Sequence, residues 1–201
     1  MSIRLKIASF WLPDFILKRE LDNIARNTIE GLNDVIKLYT PWRMEKLIEE
    51  DEVLRGNVEK RRFIMVNAHN RRVKILIEEL GYEEAVKIAR KSMFEVGFRL
   101  GQVTRRRLRV GNDFKDLQLA AKIMYKVLGI EFKIEYKDDN VIMIVNRCAL
   151  SKYYTQEGCI VLSAADEGAV HGLNENMEMK FKERITDGIS ECIACITEVK
   201  T

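Results

Sequence analysis

Four cysteines are the only thiols in this 201-residue chain, and all of them lie after residue 147. Cys148 and Cys159 occur in "RCALSKYYTQEGC", and Cys192 and Cys195 in "ECIACI". Zinc prefers four thiolate or imidazole ligands in a tetrahedron, so the set is a candidate metal site. The spacing matches a zinc ribbon poorly, because one C-x-x-C must combine with a much longer separation. Simple packing is the alternative, since free cysteine is among the most buried small residues.

Strand geometry separates the last two cysteines. If Cys192 begins a regular strand, side chains alternate along it, and Cys192 and Cys195 point to opposite faces. We therefore expect Cys148, Cys159 and Cys192 to have their sulfurs within reach of one metal ion, and Cys195 to be excluded. Zinc is the expected metal, with an iron–sulfur cluster or no metal as alternatives.

Two further titratable residues are candidates for proton transfer beside the cysteines. Asp166 and His171 lie five residues apart in "AADEGAVHGLN". A histidine near a helix C-terminus is also favoured by the helix dipole alone. His69 has no partner nearby in sequence and is predicted to be structural. The chain lacks G-x-S-x-G, H-E-x-x-H, G-x-G-x-x-G and Walker motifs, which argues against the common hydrolase, protease and nucleotide-binding designs.

The elements that position these residues follow from hydrophobic periodicity. Apolar residues at helical spacing predict helices through the first two-thirds of the chain, with Asp14 and Asn112 or Asp113 as caps. The predicted helices cover about 14–39, 41–54, a segment ending at Gly81, a segment containing Ala85 to Phe98, and 113–128 with a stop at Gly129.

The period changes to two after Gly129. Alternating residues predict antiparallel hairpins at 132–147 and 177–199, turning at 138–140 and at Asp187-Gly188. "SAADEGAVHGLN" predicts a helix between them that stops at Gly172. The expected fold class is α+β, with a helical layer packed on a mainly antiparallel sheet of about four strands.

Composition limits the function classes. Hydrophobic residues make up 47% and charged residues 32%, which argues against disorder. No apolar run approaches the roughly 20 residues of a membrane span, and no signal peptide is recognisable, so we expect a cytoplasmic protein without a membrane partner. The net charge of +3 is too small to indicate nucleic acid. Abundant lysine and glutamate with few glutamines favour a thermophilic source. The arginine cluster, Arg99, Arg105, Arg106, Arg107 and Arg109, is interpreted as a solvated helix end.

A homodimer is expected from the N-terminal segment. It carries Phe10, Trp11, Leu12, Phe15 and Ile16, more large apolar side chains than an isolated terminal helix needs. Such a patch usually contacts a partner surface.

From about Leu80 onward, "RCALSKYYTQEGC", "AADEGAVHGLN" and "ERITDGISECIACI" resemble two related families. One is the L-2-amino-thiazoline-4-carboxylic acid hydrolase-like family. The other is the 4-vinyl reductase domain, a small-molecule-binding module similar to transport-particle subunits of Golgi traffic. Both end in a glycine turn, a cysteine four residues later and a closing strand, which Gly188 and Cys192 match.

The resemblance implies particular site residues. In sensor versions of the vinyl reductase domain a zinc ion lies beside the ligand pocket, where Cys159 and Cys192 match two ligands. Glu183 lies near a third, although its spacing is short, and the intermediate cysteine is absent. The hydrolase-like family has a C-x-x-D element where this chain has Ser163 and Asp166.

Three functions are compatible with these features. The first is binding of an apolar or amphipathic small molecule in a pocket between helices and sheet, with Tyr153 and Tyr154 in its wall and the cysteines beneath. The second is a hydrolase in which a thiolate or a metal-activated water attacks a thiazoline-type ring, while Asp166 or His171 moves the proton. The third is a dimeric scaffold subunit. The resemblance favours residues 61–201 as a ligand-binding α+β domain and 1–60 as a helical extension.

Overall fold

A computed structural model describes residues 12–49, 53–137 and 140–199. These residues form helices before, between and beside two antiparallel hairpins, as predicted. The helices are α1 (Asp14–Tyr39), α2 (Met44–Glu49), α3 (Val58–Leu80), α4 (Tyr82–Leu108), α5 (Phe114–Leu128) and α6 (Gln156–Leu173). The strands are β1 (Ile130–Lys137), β2 (Asn140–Cys148), β3 (Met177–Glu183) and β4 (Cys192–Glu198), and two 3-10 turns lie at Pro41–Arg43 and Ile185–Asp187.

The strands form one antiparallel sheet in the order β1-β2-β4-β3. The register pairs Ile134 with Met143, Met143 with Ala194, and Ala194 with Phe181. Alternation puts these side chains on the face that packs against the helices, where Met143 and Ala194 are buried. The expected α+β class is confirmed.

Local capping chemistry sets most helix ends. The Asp113 carboxylate accepts the Asp116 N–H at 2.7 Å, and Gly129 ends α5 in the left-handed region. Two expectations were wrong in detail. Asp14 is the first helical residue and not the cap, a position occupied by Pro13. Helix α6 starts at Gln156, upstream of the predicted segment, because the Thr155 hydroxyl caps it by accepting the Gly158 N–H at 3.1 Å.

Helices α4 and α6 pack with their backbones in contact. A Cβ atom added at Gly97 would lie 1.9 Å from the Ala165 carbonyl oxygen, and one at Gly168 would lie 2.0 Å from the Phe94 oxygen. Any side chain larger than hydrogen would force the two helices apart. Glycine at these positions therefore fixes α6 between α4 and the sheet. This close packing determines which residues of α6 point towards the sheet.

Helix α1 shares the core with the residues that follow it. Leu21, Leu32 and Ile36 are fully buried and pack with side chains of α3 and α4. Within the described ranges, no helix has the length and apolar character needed to cross a membrane.

Candidate functional site

A cavity of about 120 Å³ lies inside the protein, between the helices and the inner face of the sheet. Helix α6 contributes one face to it, with residues spaced three or four apart. The predicted pocket between helices and sheet is therefore present. Its wall is mainly apolar and includes Leu100, Met124, Leu162, Val170 and Phe181.

One group of polar side chains in the cavity lies beside Arg184, which follows β3. Ser163 and Asp166 reach the cavity from consecutive turns of α6, and both line it together with Arg184. The Arg184 guanidinium donates to the Ser163 hydroxyl from Nη2 at 3.0 Å and from Nε at 3.2 Å. Ser163 in turn donates to the Ile160 carbonyl at 2.9 Å. Its hydroxyl therefore both donates and accepts hydrogen bonds within the protein.

Asp166 contributes the carboxyl group among the residues that line the cavity. Among the described residues, none donates a hydrogen bond to it. Burial, and secondarily the charge of Glu167, raises the pKa of Asp166 from 3.8 to about 7, with Arg184 opposing both effects. Glu167 itself is engaged by Arg90 at 2.7 Å. Asp166 is thus a carboxyl that exchanges a proton near neutral pH and accepts a hydrogen bond from whatever enters the cavity.

Three cysteines also line the cavity: Cys148, Cys159 and Cys192. Burial raises the pKa of Cys148 and of Cys159 to about 11, and it raises the pKa of Cys192 as well. All three are therefore protonated thiols near neutral pH, and thiols are poor nucleophiles. Cys192 accepts the Ile185 N–H at 3.3 Å.

The predicted metal site was compared with the positions of the cysteines and their neighbours. In the part of the chain that the structure describes, no group of three or more histidine, cysteine, aspartate or glutamate side chains is placed to hold a metal ion. Glu183, near the family's glutamate position, is exposed on the strand edge. The geometry therefore gives the predicted zinc or iron–sulfur site no support, and metal binding stays a prediction. The alternation predicted for β4 is confirmed, since Cys192 and Ala194 are buried and Cys195 faces the other way.

Only one of the two predicted pocket tyrosines lines the cavity. Tyr154 does so, whereas the Tyr153 hydroxyl donates to the Glu59 carboxylate at 2.8 Å. The Tyr154 hydroxyl lies 2.8 Å from Nδ1 of His69, and Nε2 of His69 lies 2.8 Å from the Thr28 hydroxyl.

Thr28 determines which group donates and which accepts in the hydrogen bonds that join Thr28, His69 and Tyr154. Its hydroxyl donates to the Ile24 carbonyl at 2.9 Å, so it accepts from Nε2–H of His69, and Nδ1 accepts from Tyr154. Burial, and secondarily the charge of Arg72, lowers the pKa of His69 to about 3, so the ring stays neutral. His69 lines the cavity with both ring nitrogens engaged, by Thr28 and Tyr154.

His171 does not line the cavity as described. Its Nδ1 lies 3.0 Å from the Met177 carbonyl oxygen, and its ring lies beside Phe94 and Phe98. The fold thus brings Asp166 to the cavity but not His171. Arg184 is the site residue that sequence reasoning missed, and its only signal is its place just before the Asp187-Gly188 turn.

Comparison with known proteins gives a family and a fold. A model of the L-2-amino-thiazoline-4-carboxylic acid hydrolase family matches residues 61–196. No curated protein matches the sequence significantly.

Two similar solved structures extend the fold comparison. One is a trafficking protein particle complex subunit 3 from Naegleria fowleri covalently bound to palmitic acid, with a TM-score of 0.57, 13% identity, and coverage of 71% of this chain and 97% of that chain. The other is an H-NOX protein from S. oneidensis in the Fe(II)NO ligation state, with a TM-score of 0.53, 11% identity, and coverage of 87% and 99%. At these identities, both establish similarity of fold alone.

Proposed function

Because this chain belongs to the L-2-amino-thiazoline-4-carboxylic acid hydrolase family, we propose that it binds a compact, largely apolar small molecule in the cavity beside α6. The volume of about 120 Å³ is below the usual range of roughly 300–1,000 Å³ for ligand pockets. An apolar cavity of about 150 Å³ takes up benzene. A molecule built on one small ring is therefore the size that this cavity supports.

The observation that carries the proposal is Asp166, a half-buried carboxyl with no hydrogen-bond donor among the described residues, facing a mainly apolar cavity. A buried polar group without a partner is costly, so a ligand that donates a hydrogen bond to Asp166 recovers this cost. Arg184 is already committed to Ser163. The favoured ligand therefore has an N–H or O–H group on an apolar body.

A long acyl chain is a poorer match. The Naegleria fowleri subunit carries palmitic acid. A chain of that length does not fit about 120 Å³ unless side chains lining the cavity move apart. The compact ligand needs no such rearrangement.

Pyrrole and thiophene provide a direct test, because the two rings have similar size and only pyrrole donates an N–H. We expect both to shift the amide resonances of cavity residues in an NMR titration, with pyrrole binding about five- to tenfold more tightly. Asp166→Leu should abolish this preference and leave thiophene binding intact.

A cavity-filling variant supplies the matched control. Val170→Phe should block both probes, whereas Val86→Phe, on α4 and outside the cavity lining, should not. If neither probe binds the native protein, or if Val170→Phe leaves binding unchanged, the proposed binding function is wrong.

A second candidate function, hydrolysis of a thiazoline-type cyclic amidine, is favoured by the Asp166 pKa of about 7. A carboxyl with such a pKa is suited to general acid–base catalysis near neutral pH. In this reaction a water oxygen bonds to the amidine carbon while Asp166 takes the water proton. Asp166 then returns the proton to the ring atom that departs as its bond to that carbon breaks. The protonated cysteines make thiolate attack the weaker alternative.

Incubation with 2-amino-thiazoline-4-carboxylate tests this candidate by mass spectrometry, since the product is heavier by one water molecule. Turnover should rise as the pH passes through about 7, because the base must be ionised. Asp166→Asn should lower turnover at least roughly a hundredfold, whereas Ser163→Ala should retain most of it. Full turnover in Asp166→Asn would exclude this mechanism.

A further inference from the structure

The face of the sheet that points away from the helices has an apolar centre. Ile142 and Ile144 of β2 lie in register with Cys195 and Ile193 of β4. All four are half-buried, whereas their strand neighbours are buried against the helices. None of the four belongs to the hydrophobic clusters that the described residues form. This apolar centre, which we call the outer face, is therefore not part of the core.

Charged residues flank the outer face in an ordered way. One row across the sheet runs Lys133, Ile144, Ile193, Glu183. The next row runs Glu135, Ile142, Cys195, Lys180. Each row therefore has a charge, two apolar residues and the opposite charge, and the order of the charges reverses between the rows.

Other charges lie at the same edges. Lys182 lies in the β-bulge beside Glu183, and Glu178 lies 4.0 Å from Lys180. Lys133 and Glu135 form a 2.8 Å pair along β1. Exposed pairs of this kind contribute little on their own and exchange partners readily.

This arrangement is complementary to itself. A two-fold axis parallel to the strands lays the β1 edge of one copy over the β3 edge of a second copy and keeps each row opposite itself. Lys133 then meets Glu183, Glu135 meets Lys180, and the apolar centres meet each other. We propose that the outer face is a homodimer interface in which two sheets stack face to face, about 10 Å apart.

The size of the outer face predicts a weak, reversible dimer. Four strands about 4.8 Å apart and about seven residues long present about 450 Å² per copy. Two copies bury about 900 Å² before side chains at the rim are included, which is at the low end for a specific interface. Association should therefore be visible in the micromolar range and above.

Charge exchange tests the pairing. Sedimentation velocity of the full chain, from about 1 to 500 µM, should show a monomer–dimer equilibrium. Glu135→Lys alone and Lys180→Glu alone should each raise the dissociation constant at least roughly tenfold, because like charges then meet twice in the symmetric interface. The double variant should restore the native value.

The matched control is Glu30→Lys, the same charge change at an exposed position on α1. It should leave the dissociation constant unchanged, and circular dichroism should show the same secondary structure for all variants. A native protein that stays monomeric throughout the range overturns the proposal. So does a dimer that persists in both single variants or a double variant that fails to recover.

Discussion

At the scale of single residues, Asp166 and His69 make opposite contributions to the pH dependence of stability. The folded pKa of Asp166, about 7, lies above its ordinary value of 3.8, the reverse of a salt-bridged carboxyl. Between these values the folded state holds a proton that the unfolded state has lost. The contribution of Asp166 is therefore fully present below about pH 4 and is lost as the pH rises towards 7. His69, whose pKa is lowered to about 3, has the opposite effect, because its contribution is present above its ordinary pKa of 6.5 and is lost as the pH falls towards 3.

We expect the stability of Asp166→Asn relative to the native protein to rise with pH, so that the variant is more stable at about pH 8 by up to ~4 kcal/mol. Urea unfolding at about pH 5 and pH 8 provides the measurement. Asp34→Asn, at an exposed position on α1, should keep the native slope. A native slope retained in Asp166→Asn would show that another group titrates.

The cysteines should differ in reactivity. Cys148 and Cys159, with pKa values of about 11, face the cavity, whereas Cys195 lies on the outer face of the sheet. We expect a thiol reagent at about pH 8 to label Cys195 first and the cavity cysteines only on unfolding. Peptide mass spectrometry identifies the labelled sites. Rapid labelling of Cys159 in the folded protein would contradict the raised pKa of its thiol.

At the scale of elements, the contact between α4 and α6 depends on glycine. An added methyl group at Gly97 or Gly168 collides with backbone oxygen atoms, which cannot rotate away as a side chain does. Gly97→Ala and Gly168→Ala should each destabilise the protein by about 2 kcal/mol or more, although alanine favours helix. Lys91→Ala, at an exposed position on α4, is the control and should be nearly neutral. Unfolding midpoints that rise in the glycine variants would contradict this packing.

At the scale of the whole molecule, α1 joins the core of the residues that follow it. Leu32→Ala should therefore destabilise the protein by about 2–5 kcal/mol and lower hydrogen-exchange protection in the sheet as well as in α1. Leu38→Ala changes the same residue type on the same helix at a site that is 74% exposed, and it should have little effect.

The same exchange measurement tests the predicted boundary at residue 60. Loss of protection confined to α1 in Leu32→Ala would support an independent N-terminal extension.

The predicted dimer surface at the N-terminus also stays a prediction. It comprises Phe10, Trp11, Leu12, Phe15 and Ile16. Phe10 and Trp11 lie outside the described residues, and Phe15 is 67% exposed. Sedimentation of Phe15→Ser therefore shows whether dimerisation uses this N-terminal surface or the outer face of the sheet.

The sequence by itself determined the local features of this protein. Alternating residues determined both hairpins, Asp113 and Gly129 determined the ends of α5, and strand periodicity separated Cys192 from Cys195. These features depend on side-chain direction and capping within a few residues, which a sequence displays directly. The start of α6 escaped prediction because a single threonine cap in a polar stretch is a weak signal.

Only the tertiary structure decided which chemical groups meet. Asp166 enters the cavity and His171 does not, although both lie on α6, because the close contact with α4 fixes how that helix is rotated. Arg184 reaches Ser163 from another element, and His69 reaches Tyr154 across 85 residues. Such distant pairs, and the burial that shifts the pKa of Asp166, arise from the packing of elements against each other. No local pattern in the sequence records that packing, because the same helix and strand periodicities are compatible with many relative rotations.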